Sequence, residues 1–153
     1  MNKKCIMIAC AFFVAVALQA KVSLPAFFSD GMVMQQQSQA SLWGKASKGK
    51  IVEVTTGWDG QTYTTRADEQ GKWKLTVQTP AAGGPYDITF DDGERTRIKD
   101  ILMGELWICS GQSNMEMPMK GFKNQPVEDA NMDVLRSRNS QIRLFTVKRN
   151  SQF

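Results

Sequence analysis

The sequence predicts a mixed fold: a small all-β sandwich over residues 21–99, followed by the first βαβ unit of an incomplete α/β domain over residues 100–153. In the first region apolar and polar residues alternate, which is typical of half-buried antiparallel strands. In the second, an apolar run, a helical pattern and another apolar run follow one another, which indicates strand, helix and strand. A composition of 42% hydrophobic and 22% charged residues is that of a globular protein.

Residues 1–20 have the pattern of a secretory signal peptide. Lys3 and Lys4 precede an apolar run at residues 6–18, and Ala20 is the expected last residue of the leader. A bilayer span needs about 20 apolar residues, so we expect export to the periplasm or the medium, with no stable membrane span. A lipoprotein signal at Cys10 is the alternative, but Cys10 lies inside the apolar run instead of after it.

Charge and cysteine content exclude further classes of protein. The formal net charge is +4, and two of these charges, Lys3 and Lys4, would leave with the leader. The chain has no zinc pattern and no basic helix with interleaved aromatic residues, so we expect no nucleic-acid binding. After cleavage Cys109 is the only cysteine, so no intrachain disulfide is expected. Its place in an apolar run favours a buried, unreactive thiol over a nucleophile.

The strands of the β region are predicted from alternation and from turn residues. Asp59-Gly60 between two β-rich runs is a strong hairpin signal. In another run Trp73, Leu75 and Val77 share one face and lysines and a threonine share the other, which predicts a half-buried strand. The predicted strands are residues 42–43, 50–56, 61–67, 72–77, 86–90 and 94–98. Short strands at this spacing are typical of a small β-sandwich.

Five aromatic residues of the β region have two candidate roles. They are Trp43, Trp58, Tyr63, Trp73 and Tyr86. Together they could form a platform on which sugars stack, or they could pack in the core and across strands. The pattern favours packing, with Trp58, beside its turn, as the best candidate for a sugar contact.

The second region is predicted to begin with a buried strand, residues 101–109, that ends at a reactive side chain. A helix is expected over residues 126–138, with acidic residues near its amino end and Arg136 and Arg138 near the other, as the helix dipole favours. Residues 141–147 are then predicted to form a second strand. Ligands of open α/β sheets bind beyond the carboxyl ends of the strands, which draws attention to residues 111–115, GQSNM.

Ser113 is the candidate nucleophile in this motif. A serine at the turn between a strand and a helix exposes its oxygen and points backbone N–H groups at a developing negative charge. Gly111 permits the tight approach. Met115 stands where the G-x-S-x-G pattern of lipases has its second glycine, so that pattern does not fit. The alternative is that residues 109–119 are a buried, methionine-rich turn.

The run GELWICSGQSNMEMPM, residues 104–119, closely resembles the first conserved block of the sialate O-acetylesterase family, within the SGNH (GDSL-like) hydrolases. Residues 28–36, FSDGMVMQQ, and 142–147, IRLFTV, resemble its flanking segments. The resemblance implies a flavodoxin-like hydrolase domain that needs no metal or cofactor and cleaves acetyl esters of a sugar or sialoglycan. It also implies that Ser113 is the nucleophile and that its backbone N–H is one oxyanion donor.

The resemblance leaves two side chains of the motif with open roles. Beside Gly111, Gln112 and Asn114 either shape the acetyl pocket or hold the turn.

The catalytic base of that family is a histidine in a carboxyl-terminal Asp-x-x-His block, and this chain contains no histidine. Asp129, Asp133 and Lys120 are the candidate substitutes, but none has the positioned relay that a base requires. We therefore expect an amino-terminal portion of an exported carbohydrate O-acetylesterase, truncated and inactive by itself. The alternative is a non-catalytic β-sandwich module that binds glycan or another domain.

Overall fold

The computed structural model describes residues 21–147, so the predictions made for residues 1–20 and for the last six residues lie outside the described part. Within residues 21–147 there are seven strands and two short helices. The strands are β1 (Val33–Gln35), β2 (Gln39–Lys45), β3 (Ile51–Thr56), β4 (Thr62–Arg66), β5 (Lys72–Gln78), β6 (Gly83–Asp91) and β7 (Arg95–Gly104). The helices are α1 (Ser113–Glu116) and α2 (Ala130–Arg136). Neither helix is long enough to cross a membrane.

The strands form two sheets. Five of them lie in the order β1-β7-β6-β3-β4, and β2 pairs with β5 in a second sheet. All neighbours are antiparallel except β1 and β7, which are parallel. Thr65 Oγ1 donates a hydrogen bond of 3.1 Å to the carbonyl of Lys74, which joins β4 to β5 at one edge. The predicted β-rich character of this region is confirmed.

One hydrophobic core takes side chains from both sheets. Leu42 of β2 and Val77 of β5 are fully buried together with Phe90 of β6 and Ile101 of β7. The rings of Trp73 and Phe90 lie 5.9 Å apart between their centroids. Full burial of one such aliphatic or phenyl side chain contributes about 1.5–3 kcal/mol. This core is therefore the main source of stability of residues 21–104, which we call the β part.

Local sequence signals were accurate in the β part. The predicted hairpin is present, with β3 and β4 antiparallel and Gly60 at φ 69° in the turn. Asp59 Oδ1 accepts a hydrogen bond of 3.0 Å from the backbone N–H of Gln61, which fixes that turn. The predicted face of β5 is also confirmed, because Trp73 and Val77 are buried.

The prediction that most of the five aromatic residues pack is confirmed, because Trp73 lies in the core and Trp58, Tyr63 and Tyr86 pack against it. The choice of Trp58 as the exception is wrong. Trp58 is half-buried, donates a hydrogen bond of 3.0 Å from Nε1 to the carbonyl of Gln78, and packs edge-on against Tyr86. Packing is therefore its role. Trp43 is instead the tryptophan of the β part that reaches the surface, with 41% of it exposed.

Strand β7 crosses the predicted domain boundary between residues 99 and 100. It continues to Gly104, and both Ile101 and Met103 are buried in the β core. The reason is that β7 pairs on one side with β6 and, over its last residues, on the other side with β1. These residues belong to the β part and do not begin a second sheet.

The predicted βαβ unit is not formed in the described chain. Residues 106–109 and 142–147 are not strands, and Trp107 and Ile108 are 82% and 90% exposed. A parallel strand forms only against a hydrogen-bonded neighbour, and within residues 21–147 neither run has one. For the same reason Cys109 is exposed and not buried as expected. The predicted helix is confirmed in part, shortened to α2.

Candidate active site

Ser113 is the first residue of α1, at the point where the chain turns from an extended run into a helix. Gln112 precedes it in a non-helical conformation, and the N–H of Met115 donates a hydrogen bond of 3.0 Å to the Gln112 carbonyl. Ser113 is exposed. Its hydroxyl is therefore accessible, at a turn of the kind the sequence predicted.

The neighbours of Ser113 are only partly defined by the structure. A Cβ added at Gly111 would lie 3.0 Å from Cγ of Met115, so glycine allows the close approach between this turn and the helix. Gln112 is exposed, and the side chain of Asn114 lies outside what the structure describes. Whether Gln112 and Asn114 shape a pocket or hold the turn stays a prediction.

Two glutamines hold the start of residues 105–143, which we call the serine-bearing segment. Gln35 is the last residue of β1, and Gln36 follows it. Gln35 Nε2 and Gln36 Nε2 donate hydrogen bonds of 3.0 and 2.7 Å to the two carboxylate oxygens of Glu105. Gln35 Oε1 accepts a hydrogen bond of 2.9 Å from the N–H of Leu106. Donation by Gln36 and Gln35 lowers the pKa of Glu105 below the usual glutamate value, because these bonds favour the ionised carboxylate.

A second contact holds the other end of the segment. Arg143 donates hydrogen bonds of 2.8 and 3.2 Å to the two carboxylate oxygens of Asp100, and one of 3.3 Å to the carbonyl of Gly31. The ring of Phe145 packs edge-on against Phe27 at 6.5 Å. The hydrogen bonds from Arg143 lower the pKa of Asp100, and the carboxylate in turn raises the pKa of Arg143. Residues 105–143 therefore leave and return to the β part at fixed points.

The described residues supply no relay to Ser113. Of the candidate substitutes, Asp129 directly precedes α2 with φ 53° and Asp133 lies in the first turn of that helix. Within residues 21–147, Asp129, Asp133 and Lys120 form no ion pair. Residues 21–147 also contain no group of three potential metal ligands.

A groove lies on the β part, away from Ser113. Its volume is about 880 Å³, and it lies between the amino-terminal segment and strands β2, β4 and β5. Its lining includes exposed Trp43 and four cationic side chains, Lys45, Arg66, Lys72 and Lys74. Neither end of the serine-bearing segment contributes to it. Nothing in the alternating pattern had marked this surface, because the pattern shows which face is buried and not how the exposed face is shaped.

Comparison with known proteins identifies the class of molecule. A solved structure of a carbohydrate acetylesterase from Xanthomonas citri matches with a TM-score of 0.70 and 32% identity, over 79% of this chain and 26% of that one. The chain is thus a relative of carbohydrate acetylesterases. Mouse sialate O-acetylesterase is 28% identical over 131 residues, and the human one 30% identical over 115 residues. The resemblance to the sialate O-acetylesterase family is therefore confirmed.

The extent of these matches is uneven. They cover 79% of this chain for the mouse protein and 69% for the human one, but only 24% and 22% of those proteins. The chain thus spans about a quarter of the length of the relatives it matches. A continuous match to 79% of 153 residues has to include position 113, so the candidate serine lies inside the similar region. No protein-family model matches the chain.

Proposed function

We propose that this chain is the nucleophile-bearing part of an exported carbohydrate O-acetylesterase, acting on an acetylated sugar or sialoglycan through Ser113. The observation that carries the proposal is the similarity to acetylesterases over a region that includes Ser113, an exposed serine at the start of α1. In the complete hydrolase domain, residues 106–109 and 142–147 would pair as parallel strands. Their exposed apolar side chains support this, since burial in such a sheet would cover them.

The proposed reaction has two steps. Ser113 Oγ attacks the acetyl carbonyl, the ester C–O bond breaks, and the sugar hydroxyl leaves with a proton while acetyl-Ser113 forms. Water then attacks the acetyl carbonyl, the bond between that carbon and Ser113 Oγ breaks, and acetate leaves while Oγ takes a proton from the water. A serine needs a base for the first step, and none of the 153 residues is a histidine. We therefore propose that the base is a histidine outside these residues and that the chain alone does not turn over acetyl esters.

The decisive experiment uses a chimera in which residues 21–147 replace the matching part of the Xanthomonas citri carbohydrate acetylesterase. We expect the chimera to hydrolyse p-nitrophenyl acetate and Ser113→Ala to lower kcat at least about 1,000-fold. Ser110→Ala is the matched control, because Ser110 is also exposed and lies three residues earlier; it should leave the rate almost unchanged. Full activity of the Ser113→Ala chimera would refute the assignment.

Export is part of the same proposal. The leader-like pattern of residues 1–20 supports cleavage after Ala20 and transfer across the inner membrane. Expression of the whole chain in a Gram-negative host, followed by fractionation and amino-terminal sequencing, should give a periplasmic protein that begins at Lys21. Recovery of an uncleaved chain in the cytoplasm would contradict it.

The groove on the β part favours a second candidate function, glycan binding. Trp43 offers a partly exposed indole, and within residues 21–147 Lys45, Lys72 and Lys74 make no ion pair. Asp68, the acidic residue of the lining, accepts hydrogen bonds from backbone N–H groups of its own turn. The positive charge of the three lysines suits a carboxylated sugar.

Calorimetry of the whole chain with a sialoside tests the second function. Heat that is lost in Trp43→Ala but kept when half-buried Trp58 is replaced by Phe would support it. Absence of heat with both acidic and neutral glycans would remove it.

A further inference from the structure

The short strand β1 brings the two glutamines to the point where the serine-bearing segment begins. Parallel pairing of β1 with β7 places Gln35 beside Gly104, and the N–H of Gln36 donates a hydrogen bond of 2.9 Å to the carbonyl of Gly104. The next residue of the chain, Glu105, has left the sheet. The glutamine side chains therefore meet the first residue that no strand holds.

Each polar atom of this contact has a distinct partner. The two amide groups donate to different oxygens of Glu105. Gln35 Oε1 accepts from the N–H of Leu106, as the backbone carbonyl of a neighbouring strand would if β7 continued. Gln36 Oε1 accepts a hydrogen bond of 2.8 Å from the N–H of Ala82, which ties the pair to the start of β6. An amide side chain carries both a donor and an acceptor, and each of these two glutamines uses both.

We infer that Gln35, Gln36 and Glu105 are positioning residues for Ser113: they fix the direction in which the segment leaves the β part, eight residues before the nucleophile. The inference rests on the proposed function, because it assigns these side chains a task in the same reaction. None of them contacts the reacting atoms. Misplacement of a nucleophile by about 1 Å through a distant change costs on the order of 100-fold in rate. Loss of the contact between the two glutamines and Glu105 should therefore lower kcat while the protein stays folded.

The first test uses the 153-residue chain and does not depend on esterase activity. Hydrogen exchange of the Leu106 amide is measured by NMR in wild type, in Gln35→Ala and in the control Gln37→Ala, whose side chain is exposed beyond this contact. We expect the Leu106 amide to exchange about tenfold faster, or more, in Gln35→Ala and at the wild-type rate in the control. Equal exchange in all three proteins would overturn the inference and leave the role of Ser113 untouched.

The second test separates positioning from stability, using the chimera described above. Gln35→Glu sets two carboxylates against each other, and Glu105→Gln removes the charge that both amides bind. Combining them exchanges the amide and the carboxylate and restores a complete set of donors and acceptors. We expect each single change to lower kcat about 10- to 100-fold with KM and folded fraction nearly unchanged, and the combination to recover most of the loss. Activity that only follows the folded fraction, or no recovery, would overturn the inference.

Discussion

Replacing Gly31 with alanine should loosen the second attachment of the serine-bearing segment. Gly31 has φ 80°, a left-handed conformation that side chains other than glycine rarely adopt. A Cβ there would also lie 3.0 Å from Nη1 of Arg143 and 3.9 Å from Oδ2 of Asp100. Gly31→Ala therefore has two effects: backbone strain, and displacement of the guanidinium group from its carboxylate.

Two other glycines allow the strain to be measured by itself. Gly49 and Gly60 both have φ 69°, and a Cβ at either would meet nothing within 4 Å. A left-handed alanine costs roughly 1–2 kcal/mol, so Gly49→Ala should lower the free energy of unfolding by that amount. For a domain of about 60–100 residues, the range that includes the β part, one kcal/mol corresponds to about 4–8 °C in Tm. Gly31→Ala should show the same loss together with a displaced Arg143.

The assay combines urea unfolding with tryptic cleavage under native conditions. Trypsin binds the arginine side chain, and Arg143 is held by Asp100 and by the Gly31 carbonyl. At equal free energy of unfolding, Gly31→Ala should be cut after Arg143 faster than Gly49→Ala. Equal cleavage rates in the two variants would show that the Arg143 contact does not attach the segment, and the reasoning would fail.

Three further predictions concern pH and packing. Because hydrogen bonds lower the pKa values of Glu105 and Asp100, their stabilisation is full above the usual carboxyl pKa of about 4 and is lost as pH falls through the lowered values. The Tm difference between wild type and Glu105→Gln should therefore vanish in acid. In urea unfolding, Leu42→Ala should cost about 2–5 kcal/mol because Leu42 is fully buried, whereas Leu135→Ala, at a residue 74% exposed, should cost less than about 0.5 kcal/mol. Trp73→Phe removes a buried indole N–H that has no partner in the described chain, so urea unfolding should show a loss below about 2 kcal/mol.

The β part was predictable where burial and pairing are local in sequence. The β3–β4 hairpin and the inward face of β5 follow from turn residues and alternation, and both were correct. Strand β1 was not predicted, because three residues show no period and its partner β7 lies about 70 residues away. Alternation also could not show that Trp58 packs against Tyr86 and donates to the Gln78 carbonyl, so it indicated Trp58 as the sugar contact instead of Trp43.

The serine-bearing segment shows the limit of apolar runs as a signal. Leu106 to Ile108 reads as a buried strand, yet burial depends on neighbours, and no described strand lies beside it. Motif likeness did direct attention to Ser113. The contact of Gln35 and Gln36 with Glu105 was missed although all three lie in motif-like runs, since residues 69 and 70 positions apart carry no periodic relation. Adjacent polar residues at the ends of two motif-like runs were the available signal.

Residues 28–36, which contain no predicted reacting group, contact the serine-bearing segment at both of its ends. One end of this run contributes Gly31, whose carbonyl accepts from Arg143, and the other contributes Gln35 and Gln36, which bind Glu105. A single short run of the β part thus touches both the departure and the return of the segment that carries Ser113. Changes at Gly31, Gln35 or Gln36 should therefore affect catalysis in the complete domain more than they affect the hydrophobic core, whereas changes at Leu42 or Phe90 should do the reverse. Opposite effects of the two sets of variants on kcat and on the free energy of unfolding would indicate that the β part positions Ser113. Parallel effects would indicate that it is only covalently connected to the segment.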